Sequence, residues 1–548
     1  MKRLLAVSVL SILLVGLIAA CVAAPAAPAP AQEPAQTEAE SAAEPAEAEE
    51  AAEVEEAAAE AEPVTLRLGL DVDAGTGDPR LAQDTSAFRL RELLYNGLVY
   101  IESDYSPTAD LAESWENPDD KTWVFHLREG VKFHNGQEVT AEDVKYTYET
   151  ILNEEFAAPL RAFYEPIQSI EVIDDHTVQF TLDAAYAPFL SFMDMGIVPK
   201  SVAEEQGEAF GTTPIGTGPF KFVEWQRGDT IELAAFDEHF NGRPKADRVL
   251  IKVVPDNSAR AVAIESGDLD FIQSPVSPQD VARLETTDGV AVDRIPASGY
   301  TYINLNTADP ILSDVRVRQA LAHLVNREQI LETIFKGIGQ IANSPIPLGM
   351  WAYADDIQGY DYDPEKAQAL LDEAGWEVGP DGIREKDGQP LALTVRTHSE
   401  DPDRRQIIEV LQAEFSNVGI QADTNVAEWP SYFADIQESN YQVAIIGWLN
   451  LTNPDRAMFR AFTIDGPANY GKYENAEVDK LILDARATLD QDEAKAMYQE
   501  ASRIIAEEAP YIFLQYQEYI AIHDDNLEGF VPNPVVNWRS MKDVTIDQ

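Results

Sequence analysis

The sequence predicts a mixed α/β chain that folds into several domains. Short apolar or alternating runs typical of β-strands are interleaved with segments that carry helix caps and apolar residues at helical spacing. The chain has 548 residues, and about 485 of them follow the N-terminal segments described below. Single hydrophobic cores stop growing beyond roughly 250 to 300 residues, so we expect two or three domains. No repeat of fixed period is visible in the sequence.

The first 20 residues predict a signal peptide. Lys2 and Arg3 form a basic start, and residues 4–20 carry no charge. A membrane-spanning helix needs about 20 apolar residues, whereas this run gives way to Ala, Pro and Glu after Cys21. The small residues before Cys21 resemble the lipobox of bacterial lipoproteins, in which the cysteine is acylated and becomes the mature N-terminus. Cys21 is the only cysteine in the chain, and we predict that it is lipidated; the alternative is an incidental cysteine of the signal peptide.

Residues 21–63 predict a lipidated cysteine followed by a disordered tether. From residue 22 onward they contain twelve Glu, no Lys or Arg, and otherwise mostly Ala and Pro. Such a segment cannot bury a core, and charge repulsion and proline stiffen it. We therefore expect an extracytoplasmic protein, held by its lipid on the outer face of the cell membrane or in a periplasm.

The chain is strongly acidic. Its formal net charge is −56, of which −46 belongs to residues 64–548. Phosphate backbones would be repelled by this field, so we expect no nucleic-acid partner. The acidity would suit either the attraction of cationic solutes or solubility in a salty habitat, where charges are screened over about 10 Å or less.

Six segments predict β-strands because their apolar residues alternate or run together. They are 64–70, 122–127, 177–182, 248–254, 391–396 and 442–446.

Helices lie between these strands and are recognised by their caps. A capping box at 140–143 opens a helix through Leu152. Asp363, Asp401 and Asp490 are predicted N-caps, the first two followed by proline at the first helical position. The three helices are expected to end at Gly375, near Gly419 and before Pro510.

A single core helix is predicted from about Asp314 to Lys336. Its apolar residues recur at helical spacing. They are Val315, Ala320, Leu321, Leu324, Ile330, Leu331, Ile334 and Phe335.

Six motifs run through the chain in a fixed order. The longest group is LAESWE at 111–116, WVFHLREGVKFHNG at 123–136 and TAEDV at 140–144. The others are GTGPF at 216–220, DVRVRQAL at 314–321 and YENAEVD at 473–479. In order and spacing they resemble the extracellular solute-binding proteins of family 5, the receptors of peptide and nickel importers. The resemblance covers roughly residues 64 to 545.

The block at 123–136 also has a purely structural interpretation. Phe125, Leu127, Val131 and Phe133 are predicted core residues of adjacent strands, and the Asn-Gly pair at 135–136 predicts a tight turn. The motif therefore marks the fold and not the ligand. His126 and His134 in the same block are expected to be structural or solvated and not metal ligands.

The resemblance implies a two-lobed fold like that of periplasmic binding proteins, with a third domain inserted in the first lobe and a hinge between the lobes. Such a receptor closes around its solute and presents the closed form to the permease subunits of an ABC transporter. It implies a monomer without catalytic activity and without a cofactor. The expected ranges are 64–108, 217–302 and 519–548 for the first lobe, 109–216 for the inserted domain, 303–518 for the second lobe, and 302–306 and 513–519 for the hinge.

Aromatic residues are expected to line the cleft between the lobes. Trp429 and Trp448 match family positions that face the ligand, although a tryptophan after a strand is more often packed in a core. Tyr516 lies in the second hinge segment, and we predict that it is a third aromatic contact of the ligand.

A polar face is predicted on the strand at 299–306. Alternation puts Tyr300, Tyr302 and Asn304 on one side. This face would suit a ligand cleft, and an exposed sheet face would explain it nearly as well.

The chain departs from the family pattern three residues after Trp448. Many peptide binders of the family place an aspartate there, which pairs with the α-ammonium group of a peptide. Here the position is Leu451, and an unpaired buried charge is costly. Either Asn450 or Asp455 substitutes for the missing carboxylate, or the solute is not a peptide with a free amino end.

Other functions remain as alternatives. Nickel-chelate or haem capture is known in the family, but only His398 lies in the second-lobe loops, and a directly held metal usually needs several donors. An extracellular hydrolase is the less favoured hypothesis, because the sequence has no Gly-x-Ser-x-Gly elbow, no His-Glu-x-x-His helix and no nucleophilic cysteine. A sensor that reports a solute to a chemoreceptor would use the same cleft.

Overall fold

A computed structural model describes residues 63–535 and 537–546 of the chain. These residues belong to one compact unit, Glu62–Gln548. The predicted signal peptide, Cys21 and almost all of the predicted tether lie outside the described residues. Within the described ranges, no helix combines the length and the apolar character needed to cross a membrane.

Strands and helices alternate along the unit, which confirms the mixed α/β prediction. In chain order the strands are β1 (Thr65–Leu70), β2 (Val99–Ile101), β3 (Pro107–Ala109), β4 (Ala112–Asp119), β5 (Thr122–Leu127), β6 (Ile167–Asp174), β7 (Thr177–Leu182), β8 (Phe220–Gln226), β9 (Thr230–Ala235), β10 (Arg248–Val253), β11 (Phe271–Ile272), β12 (Val290–Leu305), β13 (Gln340–Ile341), β14 (Glu377–Val378), β15 (Arg384–Lys386), β16 (Gln389–Pro390), β17 (Ala392–His398), β18 (Gln421–Ala427), β19 (Val443–Trp448), β20 (Tyr511–Asp524), β21 (Leu527–Glu528) and β22 (Thr545–Ile546).

The helices fill the intervals between these strands. They are α1 (Thr85–Leu94), α2 (Ala141–Leu152), α3 (Lys200–Gln206), α4 (Asn257–Glu265), α5 (Pro278–Leu284), α6 (Val315–His323), α7 (Arg327–Thr333), α8 (Pro364–Glu373), α9 (Pro402–Asn417), α10 (Trp429–Gln437), α11 (Pro454–Phe462), α12 (Ala476–Ala487) and α13 (Gln491–Glu508), with short 3-10 helices at Glu154–Phe156, Arg161–Phe163, Ala187–Phe192, Gly207–Gly211 and Arg539–Asp543. All six predicted strands are present, as β1, β5, β7, β10, β17 and β19.

The largest sheet runs through both predicted lobes. Its strand order is β18-β17-β19-β12-β20-β11-β1-β10-β9-β8, with β13 paired to β20 at the side. The two long strands β12 and β20 are antiparallel partners in the middle of the order. On the second-lobe side β19 pairs with the end of β12, and on the first-lobe side β11 pairs with the end of β20. These two strands therefore connect the lobes.

The pairing of β12 with β20 is irregular where the ribbon passes between the lobes. Its register shifts between Pro296 and Tyr300 and again between Thr301 and Tyr302. Gly299 lies at the first shift, where an added Cβ would collide with the carbonyl oxygen of Trp448. Such irregularities bend a strand pair locally. The ribbon overlaps the predicted hinge segments, and their role as hinges stays a prediction.

A separate antiparallel sheet, β4-β5-β7-β6, forms the core of the predicted inserted domain. The alternation in β5 buries Phe125 and Leu127 on one face, and Phe125 meets the ring of Phe180 edge to face at 5.6 Å. Val131 and Phe133 are buried as well, which confirms them as core residues, but they follow β5 in a turn region and not in the second strand that the sequence predicts. Gly136 has a φ of +87°, as the predicted Asn-Gly turn requires.

His134 has a structural role, as the sequence indicates. Its Nδ1 accepts a hydrogen bond from the backbone N–H of Gly216 at 3.2 Å, and its Nε2 lies 3.0 Å from the carbonyl oxygen of Gly218. Burial lowers the pKa of His134 to about 4. The neutral ring therefore joins the turn at 135–136 to the GTGPF segment.

The predicted caps are confirmed at four helices. The backbone N–H of Thr140 donates to Asp143 Oδ2 at 3.0 Å, which is the capping box that opens α2. The carboxylates of Asp363, Asp401 and Asp490 accept backbone hydrogen bonds at the starts of α8, α9 and α13.

The prediction of one continuous helix from Asp314 to Lys336 is wrong. The structure has two helices, α6 and α7, separated at Leu324 to Asn326. Asn326 breaks the helix because its side chain accepts a hydrogen bond from the backbone N–H of Gln329 and so caps a new helix. The apolar stripe still packs into one core, since Leu321, Leu324 and Ile330 are all buried.

Candidate functional site

Three cavities lie along the boundary between the predicted lobes. One of about 550 Å³ is bordered by the inserted domain and the second lobe. One of about 410 Å³ lies beside the ribbon of β12 and β20. A third, of about 50 Å³, separates α1 and the inserted domain from the second lobe. A volume of several hundred Å³ is typical of small-molecule sites.

One short stretch of chain borders all three cavities. Leu449 lines the cavity beside the ribbon, Asp455 lines the 550 Å³ cavity, and Asn450 and Arg456 line the 50 Å³ cavity. We call residues 449–456 the cleft segment. Its position makes it the centre of the candidate site.

The local sequence explains the shape of the cleft segment. Asn450 adopts a left-handed backbone conformation with a φ of +59°, which asparagine tolerates better than most residues. The next N–H, of Leu451, donates to the carbonyl oxygen of Ser298 on β12 at 2.8 Å. Asn453 then caps α11 by accepting from the N–H of Arg456 at 2.8 Å. The segment is thus fixed to the ribbon at one end and to a helix at the other.

Trp448 directly precedes the cleft segment, and Asn450 is its second residue. Trp448 ends β19, opposite Tyr300 on β12, and is partly buried. Both Trp448 Nε1 and Asn450 Oδ1 are buried without a hydrogen-bond partner among the described residues. They belong to a larger set of such atoms, which at the cleft segment also includes Asn453 Nδ2 and Asp455 Oδ1, and their place at this segment makes them candidates for contacts with a bound solute.

The two candidates for replacing the missing aspartate differ in their surroundings. Leu451 itself is 1 % exposed and belongs to an apolar cluster. Asp455 is 2 % exposed, and its Oδ1 lies 3.6 Å from Nε of Arg486. Burial raises the pKa of Asp455 to about 6, and the neighbouring Arg486 opposes that shift. Asp455 therefore already faces a cation of the protein, whereas Asn450 has no charge to offer an ammonium group.

Four other predicted site residues lie deeper than expected. Tyr300, Tyr302 and Asn304 are at most 1 % exposed, and the two tyrosines belong to an aromatic cluster together with Tyr516. The Tyr516 hydroxyl exchanges two hydrogen bonds of 3.0 Å with the backbone of Ser344. Alternation is correct, because the odd-numbered neighbours Ile303 and Leu305 pack into a different cluster. Helices cover the polar face, and a ligand role for it stays a prediction.

Trp429 lies away from the three cavities described above. It is 39 % exposed, stacks on Phe433 at 5.1 Å and touches His398 at 4.9 Å. Its backbone N–H donates to Glu400 Oε1 at 2.9 Å. These contacts do not test the predicted role of Trp429 in ligand binding.

Two arginines missed by the sequence reasoning extend from α11 toward the inserted domain. The guanidinium carbons of Arg456 and Arg460 lie 5.0 and 5.7 Å from the ring centre of Phe163, which belongs to the inserted domain. Arg460 also lies 5.9 Å from the ring centre of Trp448. The sequence held one usable clue, since neither arginine has an acidic residue three or four positions away that could pair with it on the helix.

The opposite wall, on the first-lobe side, holds paired charges. Arg91 lies 2.8 Å from Glu92 and 3.1 Å from Asp194. Arg539 lies 2.8 Å from Asp110 and 3.6 Å from Glu92. These pairs are largely buried and fix the wall.

The lobes touch each other around the cleft. Besides the contacts of α11 with Phe163, the guanidinium of Arg486 on α12 lies 4.7 Å from the ring centre of Tyr186 in the inserted domain. Both sets of contacts join the predicted second lobe to the predicted inserted domain. In the part of the chain that the structure describes, no group of three or more His, Cys, Asp or Glu side chains is placed to hold a metal ion.

Comparisons with known proteins point in one direction. Residues 106–470 match the family described as bacterial extracellular solute-binding proteins, family 5 Middle. The chain is 32 % identical over 488 residues to the oligopeptide-binding protein AppA of Bacillus subtilis (strain 168), which covers 85 % of this chain and 90 % of AppA. It is 31 % identical over 474 residues to the dipeptide-binding protein of Escherichia coli (strain K12), covering 81 % and 87 %.

Solved structures show the same fold. AppA from Bacillus subtilis in complex with a nonapeptide superposes with a TM-score of 0.75 at 30 % identity, over 89 % of this chain and all of AppA. NikZ from Campylobacter jejuni in complex with Ni(L-His) also gives a TM-score of 0.75, at 28 % identity, over 87 % of this chain and 99 % of NikZ. These matches confirm the predicted two-lobed fold of periplasmic binding proteins.

Proposed function

We propose that this chain, which belongs to the bacterial extracellular solute-binding proteins of family 5, captures a peptide or a similar small polar solute between its lobes. It then delivers the solute to the permease subunits of an ABC importer. The observation that carries the proposal is the position of the cleft segment, residues 449–456, on all three cavities between the lobes. A solute held there would contact both lobes at once and so favour the closed form.

The relatives support a peptide or a peptide-sized chelate as the solute class. AppA holds a nonapeptide, and the cavity of about 550 Å³ suits part of such a chain. NikZ holds nickel with histidine, which keeps capture of a nickel chelate, or of haem, as the alternative. Trp448 and Asn450 are the predicted contacts that lie at the cleft segment, and their unpartnered buried atoms support that role.

The remaining properties follow from the N-terminal sequence and the family. We propose that Cys21 is lipidated and that residues 22–63 tether the receptor to the outer face of the cell membrane or within a periplasm. The receptor acts as a monomer and as a binding protein, not as a hydrolase. Mass analysis of the protein isolated from membranes tests the lipid, which would add the mass of acyl chains at Cys21 and be lost in Cys21→Ser.

Native mass spectrometry of protein purified without denaturation tests capture. Closed receptors retain solute, so we expect a complex whose extra mass is released as a small molecule on denaturation. The released molecule distinguishes a peptide from a metal chelate or haem. Incubation with the same molecule should return it intact, because product formation would favour the hydrolase.

A matched pair of variants makes the test specific. Trp448→Ala, at the cleft segment, should reduce the retained fraction about tenfold, since an aromatic contact is worth about 1 kcal/mol or more. Leu489→Ala removes an apolar side chain at the edge of the 550 Å³ cavity and should matter less. A protein that retains nothing and shows no thermal shift with mixed di- to nonapeptides, nickel-histidine or haem contradicts solute capture.

A further inference from the structure

We propose that the captured solute carries an anionic group, a carboxylate or a phosphate, and that Arg456 and Arg460 bind this group in the cleft. The inference rests on the proposed capture function and narrows its substrate class.

The two arginines form one surface. They are four residues apart on α11, so their side chains lie on the same face of the helix. Both guanidinium groups approach Phe163 across the boundary between the lobes, at 5.0 and 5.7 Å from the ring centre. They therefore project from the predicted second lobe toward the predicted inserted domain, and Arg456 lines the cavity of about 50 Å³ there.

Neither arginine is neutralised by the protein. Across residues 63–535 and 537–546, no carboxylate oxygen lies within 4.0 Å of either guanidinium, and neither guanidinium donates a hydrogen bond. This is unusual in a chain that carries a net charge of −46 over residues 64–548. Arginine is the side chain best suited to bind carboxylate or phosphate through two parallel hydrogen bonds.

The electrostatic surroundings leave Arg456 short of negative charge. Burial lowers its pKa to about 10, and the positive charge of Arg460 acts in the same direction more strongly than Asp194 opposes it. Asp194, across the cleft, is already paired with Arg91 at 3.1 Å. Both side chains are partly exposed, and an anion between them would offset the repulsion between the two guanidinium groups as well as form new hydrogen bonds.

The space beside the arginines fits a small charged group with a larger body attached. Arg456 lines the cavity of about 50 Å³, which has room for a group the size of one or two water molecules. Ser191 lines both this cavity and the neighbouring one of about 550 Å³. A carboxylate or phosphate could occupy the first while the rest of the solute occupies the second.

The same stretch of chain offers a positive group one candidate, Asp455, which lines the 550 Å³ cavity and whose Oδ1 has no hydrogen-bond partner among the described residues. Leu451 is buried and aliphatic, Asn450 is uncharged, and Asp455 faces Arg486 at 3.6 Å. Since Asp455 already faces Arg486, and Glu92 and Asp194 in the 50 Å³ cavity are paired with Arg91, we expect an anionic group to contribute more to recognition here than a free ammonium group.

Isothermal titration calorimetry with matched tripeptides tests the inference. The probes are Ala-Gln-Ala as the free acid, Ala-Gln-Ala amide, Ala-Glu-Ala amide, Ala-phosphoserine-Ala amide and acetyl-Ala-Gln-Ala acid. We expect every probe with a carboxylate or phosphate to bind about tenfold to a hundredfold more tightly than Ala-Gln-Ala amide, which has none. Acetylation of the amino end should change the affinity less than threefold. The ranking of the three anionic sources tells which of them the site prefers.

Variants assign the effect to the two arginines. Arg456→Gln and Arg460→Gln should each reduce the preference for the acid over the amide about tenfold, and Arg456→Lys should restore part of it. Arg405→Gln removes an exposed arginine of the second lobe on α9 and should leave the preference unchanged.

The outcomes separate this inference from the proposed function. Equal affinity for the acid and the amide, or a loss of binding on acetylation, would overturn the anionic site while leaving solute capture intact. If none of the five tripeptides binds, the small molecule released from the purified protein is the test. A released molecule that carries a carboxylate or phosphate, and that Arg456→Gln fails to retain, supports the inference. A released molecule without such a group overturns it. Absence of both binding and retained solute counts against capture itself.

Discussion

The arginines on the two walls of the cleft differ in whether they are paired with carboxylates. On the first-lobe wall, Arg91 and Arg539 are each within 3.6 Å of two carboxylates. On the second-lobe wall, Arg456 and Arg460 face an aromatic ring without a carboxylate in the described residues within 4.0 Å. Paired buried charges stabilise the fold, because removal of one partner leaves the other charge buried and unpaired, which is unfavourable. The N–H groups of the unpaired arginines remain available to donate hydrogen bonds to a solute.

The largest effect is expected on the paired wall. Arg539→Gln would leave Asp110, which is only 2 % exposed, without its cation, while Glu92 would keep Arg91. We expect the free energy of unfolding to fall by about 3 to 5 kcal/mol, measured by urea denaturation at pH 7. A loss below 1 kcal/mol would mean that the first-lobe wall is not held by its ion pairs, and the comparison of the two walls would fail.

A pH-dependent effect is expected at Asp455. Its folded pKa of about 6 is above the unfolded value near 3.9, so the folded state binds more protons between these values. This carboxyl therefore stabilises the fold fully at low pH, and its contribution is lost as the pH rises through 6. We expect the stability of the wild type relative to Asp455→Asn to decrease by about 2 kcal/mol from pH 4 to pH 7.

Urea denaturation of both proteins across that range measures the difference. Asp435→Asn is a suitable control, because its partly exposed carboxylate pairs with Arg396 and its pKa is lowered, so its trend with pH has the opposite sign. A constant difference between wild type and Asp455→Asn would show that burial does not perturb this carboxyl.

The smallest effect is expected on the unpaired wall in the absence of solute. Arg456→Gln removes a charge whose folded form is disfavoured by burial and by Arg460. We expect the free energy of unfolding to stay within about 1 kcal/mol of the wild type, with any change toward higher stability. A loss of 3 kcal/mol would show that Arg456 is a structural residue like Arg539. Thermal unfolding of dialysed protein at pH 7 provides the measurement.

Local sequence patterns accounted for most of the secondary structure. The alternation in β5, the capping box at 140–143 and the N-caps at Asp363 and Asp401 each depend on a few neighbouring residues, and all four are found. The break at Asn326 was missed because an apolar stripe at helical spacing continues across it. The cap formed by the side chain of Asn326 ends one helix and starts the next, and the spacing of apolar residues carries no information about that cap.

The site was predicted less completely, for a physical reason. Alternation correctly put Tyr300 and Tyr302 on one face, but which helices cover that face is set by contacts between distant parts of the chain. The departure from the family pattern at Leu451 was visible in the sequence, and its effect on the choice of solute stays a prediction. The approach of Arg456 and Arg460 to Phe163 joins distant parts of the chain, and the clue in the sequence was the absence of acidic partners on their helix.

A thermodynamic cycle tests the central claim most directly. It combines removal of the solute's anion, Ala-Gln-Ala acid against its amide, with removal of the cation, wild type against Arg456→Gln, by calorimetry at pH 7 and low salt. If Arg456 binds the anion, the two changes are coupled, and we expect the acid to lose about tenfold or more in affinity while the amide loses almost nothing. Equal losses for acid and amide would contradict the account.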